Sequence, residues 1–557
     1  MPRIIIIKFL NLQKFTFTIV KTILTKGLRR CKTSIFIFRQ ILLYNLTMVS
    51  KATTAATIGI NSFKIEVEAD IANSLPNMSI VGLPDSAVSE AKERVHSAIK
   101  NSGFSFPTGK VIVNLAPADI RKEGTNFDLP IAICILKEQG INIPDDDTTA
   151  FLGELSLDGS LRKINGVLPL VSGLKNAGIK KVFVPKENAK EAALVENIEV
   201  YGAEHLGDIV NHFSTTPLNK TTVCISDYLE ENSNIDYTYD FKDVKGQSKA
   251  KLALEIAAAG GHNVLMNGTP GSGKTLMAKC MASILPPLNL QEAIELTKIY
   301  SISGMIETDK PLMTKRPYRA VHHTASKNGI IGGGSNPKPG EITLAHRGVL
   351  FLDEMAEFPR EVLEVLRQPL EDGEVVISRT KNSIKYPAKF MLIGAMNPCP
   401  CGYLGDKEKQ CSCTDFQIKR YKSKISGPLL DRIDLIVNVP RLTTDELINT
   451  KVEAEPSSKI RERVVYARKI QAERYREESI LTNSELSGKL IKKYCKLDDK
   501  SAEFLKTAAQ KYQLSGRKYD RILKLSRTIA DLNKCENIAL SHIAQALQFR
   551  VDITEEI

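Results

Sequence analysis

One short glycine-rich segment restricts the fold of this chain of 557 residues more than any other feature. Residues 268–275 read Gly-Thr-Pro-Gly-Ser-Gly-Lys-Thr, and they lie between the apolar stretches Val264–Met266 and 276–285. A strand, a glycine-rich loop and a helix in this order are typical of phosphate-binding loops. A glycine-rich turn before a helix, with no ligand, is the alternative. Apolar strands alternate with helices from Phe241 to about Arg441, and this alternation predicts an α/β core with a parallel sheet around the motif.

Each residue of this loop has a defined task if the loop binds a nucleotide. Unobstructed backbone N–H groups surround the phosphates, and the N-terminus of the following helix adds a positive dipole. Lys274 is expected to reach the β- and γ-phosphate oxygens, and the Thr275 hydroxyl is expected to hold Mg²⁺. The predicted nucleotide contacts are Gly268, Thr269, Pro270, Gly271, Ser272, Gly273, Lys274 and Thr275.

Two later strands are predicted to end beside this loop. Val349–Leu352 is apolar and is followed by Asp353 and Glu354, and the apolar stretch Phe390–Ala395 leads to Asn397. Because parallel strands present their C-terminal ends to the ligand, these side chains should converge on the phosphates. Asp353 suits Mg²⁺, Glu354 suits the base that polarises the attacking water, and the amide orients that water or contacts the γ-phosphate. A solvated turn is the alternative for the two carboxylates. The pattern predicts a site for ATP and Mg²⁺.

Two arginines are candidates for a positive charge on the γ-phosphate, which neighbouring subunits often supply. Arg432 lies in the segment 426–434, at the start of the next predicted strand, Leu435–Val439. Arg517 lies at the start of a C-terminal helical stretch. A surface salt bridge is the alternative for each arginine.

Four of these segments together carry a family resemblance. GTPGSGKT, GVLFLDEMAEFP, GAMNPCPCG and SGPLLDRIDL resemble the magnesium-chelatase-like branch of AAA+ ATPases, and specifically the YifB/ComM family, over residues 48 to about 550. The resemblance implies a homo-oligomeric ring, usually a hexamer, with ATP between subunits. It makes Arg432 the arginine finger for the neighbouring subunit and Arg517 the second sensor. The residues implied for the first subunit are Lys274, Thr275, Asp353, Glu354 and Asn397.

The chain is predicted to be an α/β multidomain protein. Phe63–Ile71 alternates apolar and charged residues as a half-buried strand does, and mixed strands and helices continue to about residue 215. The spacing of Ile522, Leu525 and Ile529 predicts a C-terminal helix with Ser515 near its cap. The predicted parts are a basic extension (1–47), an α+β domain (48–215), a linker (216–240), an AAA+ α/β core (241–441) with a cysteine insertion (399–413), and a helical lid (442–557) similar to the magnesium-chelatase C-terminal domain.

The α+β domain has its own resemblance, to the proteolytic domain of Lon, in residues 173–192. A serine–lysine dyad needs a hydroxyl activated by a neighbouring amine. In this chain the serine position falls at about Asn126 and the lysine position at about Leu168. The resemblance therefore implies a Lon-like fold without the dyad, serving as a ring platform or a nucleic-acid contact. ATP-dependent proteolysis is disfavoured.

Charge and cysteine content indicate where in the cell the protein is located. Nine of the twelve excess positive charges lie before residue 48, so the rest of the chain carries only +3. Basic residues interrupt every apolar run there before the ~18 residues that a membrane span needs, so no membrane partner is expected. We expect translation to start at Met48, with an organellar transit peptide as the alternative. Six cysteines are scattered singly, which favours a reducing cytoplasm over a secreted disulfide framework.

The other four cysteines cluster in the order C-x-C-x9-C-x-C. Four thiolates in a short loop fit tetrahedral Zn²⁺, although C-x-C is tighter than the usual C-x2-C. Free or redox-active thiols are the alternative. Zinc would brace the loop that continues into the basic residues Lys419, Arg420, Lys422 and Lys424. The cluster consists of Cys399, Cys401, Cys411 and Cys413.

Basic segments suggest DNA as a partner, since phosphate contacts need lysine and arginine. The candidates are residues 419–424, the loop 315–339 and the hairpin-like segment 374–389, and the resemblance implies that the last two face the ring pore. Solvated charged loops are the alternative. The candidate phosphate contacts of the hairpin are Arg379, Lys381 and Lys385. His322 and His323 are interpreted as polar loop residues rather than metal ligands.

The sequence therefore predicts a cytoplasmic ATPase that acts on DNA, through branch migration or helicase activity on branched or single-stranded DNA, in recombination or natural transformation. A magnesium-chelatase-type motor or protein-remodelling ATPase is the alternative. A scaffold that binds ATP without turnover is a second one, which the presence of Glu354 and Arg432 disfavours.

Overall fold

The computed structural model of the chain describes residues 49–230, 237–334, 338–378, 383–406, 408–442 and 454–550. The predicted basic extension and the predicted start at Met48 lie outside these ranges, as do Arg379 and Lys381. Among the described residues, no helix combines the length and the apolar character that crossing a membrane requires.

The N-terminal region is built around a mixed sheet of eight strands. Its order is β10-β9-β8-β5-β1-β2-β4-β3, and β6 pairs separately with β7. The strands are β1 (Ser50–Ile58), β2 (Asn61–Ala72), β3 (Asn77–Val81), β4 (Lys110–Ala116), β5 (Thr149–Phe151), β6 (Glu154–Leu155), β7 (Leu161–Arg162), β8 (Lys181–Pro185), β9 (Glu199–Ala203) and β10 (Lys220–Thr221). The helices are α1 (Ser86–Asn101), α2 (Asp128–Glu138), α3 (Val167–Asn176), α4 (Ala189–Ala192), α5 (Leu206–His212) and α6 (Ile225–Glu230).

Strand β2 follows the alternation seen in the sequence. Ile65, Val67 and Ala69 are fully buried, and the charged residues between them are partly exposed. This alternation is the two-residue period of a strand with one face on the core. The predicted half-buried strand is confirmed.

Within the predicted linker 216–240, residues 220–230 contain a short strand and a short helix. Strand β10 pairs antiparallel with β9 at the edge of the N-terminal sheet. Helix α6 follows, and its Tyr228 and Leu229 pack on the hydrophobic cluster of that region. A two-residue strand and a six-residue helix are too short to give a clear periodic pattern, so the sequence did not indicate them.

A second sheet of five parallel strands forms the centre of the next region. Its order is β12-β15-β18-β11-β19, which confirms the predicted parallel α/β core. Outside this sheet, β13 pairs with β14 and β16 pairs with β17. The strands of the whole region are β11 (Val264–Gly268), β12 (Tyr318–Val321), β13 (Gly332–Gly333), β14 (Lys338–Pro339), β15 (Val349–Leu352), β16 (Glu374–Ser378), β17 (Ser383–Pro387), β18 (Met391–Met396) and β19 (Leu435–Val439). The helices are α7 (Ser248–Gly260), α8 (Lys274–Ile284), α9 (Leu290–Ile302), α10 (Lys327–Ile331), α11 (Glu341–Leu344), α12 (Arg360–Glu364), α13 (Arg367–Asp372), α14 (Asp415–Lys422) and α15 (Gly427–Leu430).

The C-terminal region is helical. The Ser515 side chain accepts a hydrogen bond from the Lys518 N–H, so the predicted cap is confirmed. Ile522, Leu525 and Ile529 are buried against the core region, as their spacing predicts. The helices are α16 (Ser457–Arg474), α17 (Gly488–Tyr494), α18 (Asp499–Lys511), α19 (Gly516–Leu532) and α20 (Leu540–Gln548).

The N-terminal region packs directly on the parallel-sheet region. Leu168 of α3 and Leu296 of α9 belong to one buried cluster, and the Ser301 hydroxyl donates a 2.5 Å hydrogen bond to Glu191. The β16–β17 hairpin also reaches the N-terminal region, since a Cβ on Gly59 would lie 2.7 Å from Ile384. A cavity of about 730 Å³ lies between the two regions. The two regions therefore cannot move independently without breaking apolar contacts.

Candidate nucleotide site

The phosphate loop joins β11 to α8 at the C-terminal edge of the parallel sheet, and its glycines are required by geometry. Gly271 and Gly273 have φ angles of 78° and 90°, a region that glycine occupies readily and other residues avoid. A Cβ on Gly268 would lie 2.1 Å from the Val439 carbonyl oxygen. The glycines thus allow the turn and its close approach to β19.

Lys274 is the first residue of α8, and its side chain lies inside the loop with 9% of the residue exposed. Its Nζ donates to the carbonyl oxygens of Gly268 and Thr269 at 2.7 and 2.9 Å, and it lies 3.4 Å from Asn397 Oδ1. Burial lowers the pKa of Lys274 to about 8, while Asp353 and Glu354 oppose that shift. A bound polyphosphate would supply the negative charge that this buried ammonium lacks.

Thr275 and Asp353 meet beside the lysine. The Thr275 hydroxyl donates a 2.8 Å hydrogen bond to Asp353 Oδ2, which joins the start of α8 to the end of β15. A hydroxyl and a carboxylate are hard oxygen donors of the kind Mg²⁺ prefers. The donor set therefore fits the predicted ion.

Glu354 has a backbone conformation that is rare for a residue with a side chain. Its φ is 50°, so the chain turns sharply after β15. The Glu354 carboxylate lies 3.5 Å from the His323 ring nitrogen Nδ1. Sequence reasoning treated His323 as an ordinary loop residue and missed this contact, because 31 positions separate the two side chains and no motif links them.

The structure thus brings together five of the predicted residues. Asn397 follows β18, Asp353 and Glu354 follow β15, and β18 lies between β15 and β11. The three strand ends lie side by side because all three strands run in one direction. The residues gathered at this edge are Lys274, Thr275, Asp353, Glu354 and Asn397. We call them the phosphate cluster.

Arg432 and Arg517 form a separate group, which we call the arginine cluster. Both contact the Glu371 carboxylate: Arg432 Nη2 forms a close ion pair with Oε2, and Arg517 Nη2 lies 3.8 Å from Oε1. Arg432 is 8% exposed, and burial together with neighbouring Arg517 and Arg367 lowers its pKa. Within the described residues, the contacts of the two arginines join neither to the phosphate cluster. Sequence reasoning missed Glu371.

A buried charged pair lies behind the arginine cluster. Asp434, two residues after Arg432, forms an ion pair with Arg521 of α19 and lies 3.5 Å from His262. Burial alone would raise the pKa of Asp434, but Arg521 and His262 hold it well below its usual range. The pair fixes the C-terminal helices to the start of β19, and thereby fixes the backbone that carries Arg432.

The remaining predicted residues are the four clustered cysteines and the basic residues that are candidates for DNA contacts. The four sulfurs of Cys399, Cys401, Cys411 and Cys413 all lie within 4.8 Å of one another. Lys385 pairs with Glu374 at 2.8 Å and Lys424 pairs with Glu357 at 3.1 Å, so these two lysines are partly neutralised.

The Lon-like positions carry neither nucleophile nor amine. Asn126 lines the cavity between the two regions and donates a 2.9 Å hydrogen bond to the Ala55 carbonyl oxygen. Leu168 is buried within α3. The buried amide and the aliphatic side chain offer no serine–lysine chemistry.

Comparison with known families matches most of the chain. Residues 240–447 match the family described as magnesium chelatase, subunit ChlI; residues 67–188 match subunit ChlI of Mg-chelatase; and residues 454–550 match the ChlI C-terminal family. These models cover the parallel-sheet region, much of the N-terminal region and the C-terminal helices.

Individual relatives identify the family more specifically. The competence protein ComM of Haemophilus influenzae is 42% identical over 502 residues, covering 89% of this chain and 96% of the relative. YifB of Escherichia coli is 40% identical over 504 residues, covering 89% and 96%. A magnesium-chelatase subunit ChlI homolog of Methanocaldococcus jannaschii is 25% identical over 263 residues, covering 42% and 68%. The chain therefore belongs to the YifB/ComM family of magnesium-chelatase-like AAA+ ATPases.

Proposed function

We propose that this protein hydrolyses ATP at a site shared between identical neighbouring subunits, and that turnover drives movement on DNA. The AAA+ ATPase-type motor is supported by its relatives; the shared site, the ring and the DNA are our proposal. One observation carries it: the chain holds a phosphate cluster and an arginine cluster that do not contact each other within the described residues.

The phosphate cluster is suited to hold ATP and a water molecule. The Lys274 ammonium binds the β- and γ-phosphate oxygens, and Thr275 with Asp353 would hold Mg²⁺, which adds positive charge on those oxygens when bound. Glu354 accepts a proton from the attacking water, and Asn397 orients that water. Water adds to the γ-phosphorus and the bond to the bridging oxygen breaks, giving ADP and phosphate.

The arginine cluster serves a neighbouring subunit in this proposal. Arg432 is rigid, since its Nη1 donates to the Pro428 carbonyl oxygen at 2.9 Å and its own carbonyl accepts from Asn263 Nδ2 at 3.0 Å. A rigid arginine is pre-organised to meet a γ-phosphate that an adjoining chain presents. Arg517 shares the same carboxylate, so we assign both arginines to the neighbour's ATP. A closed ring, usually a hexamer in the family, gives every chain both partners.

Two observations support DNA as the substrate of the motor. The relative that shares 42% identity over nearly the full length is named a competence protein. Helix α14 carries Lys419 and Arg420 on an exposed turn. We propose branch migration or helicase activity on branched or single-stranded DNA, in recombination or natural transformation. A cytoplasmic location is part of the proposal, since the cysteines in the described part of the chain are all free.

A chelatase-type or protein-remodelling motor is the second candidate, because the family models carry the name of a magnesium-chelatase subunit. The two candidates differ in what stimulates ATP hydrolysis. DNA should accelerate a DNA motor and leave a chelatase-type motor unchanged.

The test measures ATP hydrolysis with and without forked or four-way DNA. We expect stimulation that weakens steeply with salt, as counterion release requires. Lys274→Ala serves as the control for contaminating ATPases. Hydrolysis that no DNA stimulates would favour the protein-remodelling candidate.

A mixing experiment tests the shared site. Glu354→Gln removes the base and Arg432→Ala removes the finger, so neither variant should turn over ATP alone. Mixed subunits should regain turnover, because an intact phosphate cluster then meets an intact arginine cluster at some interfaces. Mixtures without turnover, together with particles that stay monomeric with ATP, would contradict the proposal.

A further inference from the structure

The cysteine cluster lies next to the phosphate loop, and the arrangement of its sulfur atoms is that of a metal site. The Sγ atoms of Cys399, Cys401 and Cys411 are 3.4 to 3.6 Å apart. The backbone N–H of Cys401 donates to Cys413 Sγ at 3.4 Å, and that of Cys413 donates to Cys411 Sγ at 3.4 Å. Four sulfurs from two short C-x-C turns therefore face one point.

The sulfur spacing distinguishes a metal site from a disulfide. A disulfide brings two sulfurs to about 2.0 Å. Four sulfurs at about 2.3 Å from a tetrahedral Zn²⁺ lie about 3.8 Å from one another. The three separations are slightly shorter than this tetrahedral edge and far longer than a disulfide bond. The backbone N–H groups that donate to two of the sulfurs are the outer-shell partners such ligands usually have.

The cysteine segment touches the phosphate loop through one glycine. Gly402 has a φ of 85°, and its N–H donates to the Cys399 carbonyl oxygen at 3.0 Å, which closes the first cysteine turn. A Cβ at this position would lie 2.7 Å from the Pro270 ring and 3.9 Å from Asn397 Cγ. The backbone of the cysteine turn therefore packs on the loop that would hold ATP.

The second cysteine turn is anchored to the same end of the sheet. Thr414 directly follows Cys413 and caps α14 in a reciprocal pair with Gln417. Tyr421 of α14 is buried in one apolar cluster with Met355 and Met396, which adjoin Glu354 and Asn397 in sequence. The cysteine segment is thus joined to the surroundings of the phosphate cluster in two places. Gly402 packs on Pro270, and Tyr421 of α14 packs in one cluster with Met355 and Met396.

We propose that Cys399, Cys401, Cys411 and Cys413 bind one Zn²⁺ that holds Gly402 against Pro270, so that zinc occupancy sets the affinity for ATP. This inference rests on the proposed function, because it concerns the same phosphate loop. Without the ion, the two cysteine turns lose their common ligand and keep the Cys401 N–H to Cys413 Sγ hydrogen bond between them, so the two turns gain conformational freedom. Nucleotide binding must then order these turns again, which weakens binding.

Metal analysis tests the site itself. Protein purified without chelator should contain one zinc per chain, and the Cys411→Ser/Cys413→Ser variant should contain almost none. Cys224→Ser is the matched control, since this exposed cysteine lies outside the cluster and its loss should leave zinc unchanged. Less than about half an equivalent of zinc in the wild-type protein would overturn the site.

Titration of a fluorescent ATP analogue tests the coupling. Zinc-stripped protein should bind the analogue about tenfold more weakly, and added Zn²⁺ should restore the affinity. Gly402→Ala keeps all four ligands, so it should retain zinc and its circular dichroism spectrum while binding the analogue more weakly.

The outcomes separate this inference from the proposed function. One zinc per chain with unchanged analogue affinity, both in stripped protein and in Gly402→Ala, would overturn the coupling alone. Zinc-loaded protein that binds no ATP analogue would overturn the proposed function, and the coupling with it.

Discussion

The phosphate cluster and the arginine cluster hold their charges in opposite ways. In the phosphate cluster, Lys274 is buried among carbonyl oxygens, and its positive charge lacks a full anionic partner. In the arginine cluster, the Glu371 carboxylate already occupies the space in front of Arg432 and Arg517. The phosphate cluster can bind a phosphate directly. A phosphate that binds the arginine cluster must first displace the Glu371 carboxylate. In the proposed shared site, ATP from the neighbouring chain would therefore compete with Glu371.

The largest expected effect separates the two clusters by their roles. Arg432→Ala should lower the turnover number about 10³-fold, because an arginine finger stabilises the charge of the transition state. Binding of ATP to the same chain should change little. Rates come from a phosphate-release assay, and affinities come from titration of an ATP analogue. Arg360→Ala, an exposed arginine nearby, is the matched control.

A loss of ATP binding equal to that of Lys274→Ala would contradict this separation. Arg432 would then belong to the phosphate cluster of its own chain.

The second-largest effect concerns the ion pair between Asp434 and Arg521, which fixes the backbone that carries Arg432. Asp434→Asn removes the partner of Arg521 and leaves that guanidinium half-buried, which should lower the free energy of unfolding by about 3 kcal/mol. The depressed pKa of Asp434 adds stability that is present at neutral pH and is lost as the pH falls below about 4. Urea denaturation, followed by a probe in the C-terminal helices, measures both effects.

Asp431→Asn, three residues earlier in the chain, is the control for the removal of one negative charge. Equal losses in the two variants would show that the buried pair with Arg521 has no special role.

The buried lysine should make nucleotide binding depend on pH. Because the pKa of Lys274 is lowered to about 8, its charge is present below that pH and is lost as the pH rises through it. Affinity for ATP should fall by up to about tenfold per pH unit above this value. Titrations of an ATP analogue between pH 7 and 9.5 measure the change. Lys274→Arg should bind more weakly but without this dependence.

An affinity of the wild-type protein that stays constant to pH 9.5 would mean that bound phosphate contacts the lysine weakly. The contrast between the two clusters would then lose its basis.

The smallest expected effect comes from freeing the arginine cluster. Glu371→Gln removes the competing carboxylate, whose side chain is about half exposed, so turnover should rise about two- to fivefold. Steady-state hydrolysis at several protein concentrations measures this, and Asp372→Asn is the neighbouring control. A fall in turnover would show instead that Glu371 positions Arg432 for its task.

Much of the fold could be predicted from local patterns. Residues 349–352 form a continuous apolar run and 435–439 are apolar except for the exposed Asn438, and the apolar residues of each form a buried strand in the structure. The predicted neighbours Thr275 and Asp353 meet at 2.8 Å because parallel strands bring their C-terminal ends together. The partners of the arginines could not be predicted. Glu371 and Arg432 are 61 positions apart, and exposed glutamates are common on helices such as α13.

The sequence by itself determined the phosphate loop, the alternation of strand β2 and the cap at Ser515, because glycine torsion angles, side-chain period and capping are properties of a few consecutive residues. Only the tertiary structure decided that Glu371 faces Arg432, that His323 approaches Glu354 and that Gly402 lies against Pro270. These contacts join distant segments, and their geometry depends on how whole helices and sheets pack rather than on any local preference.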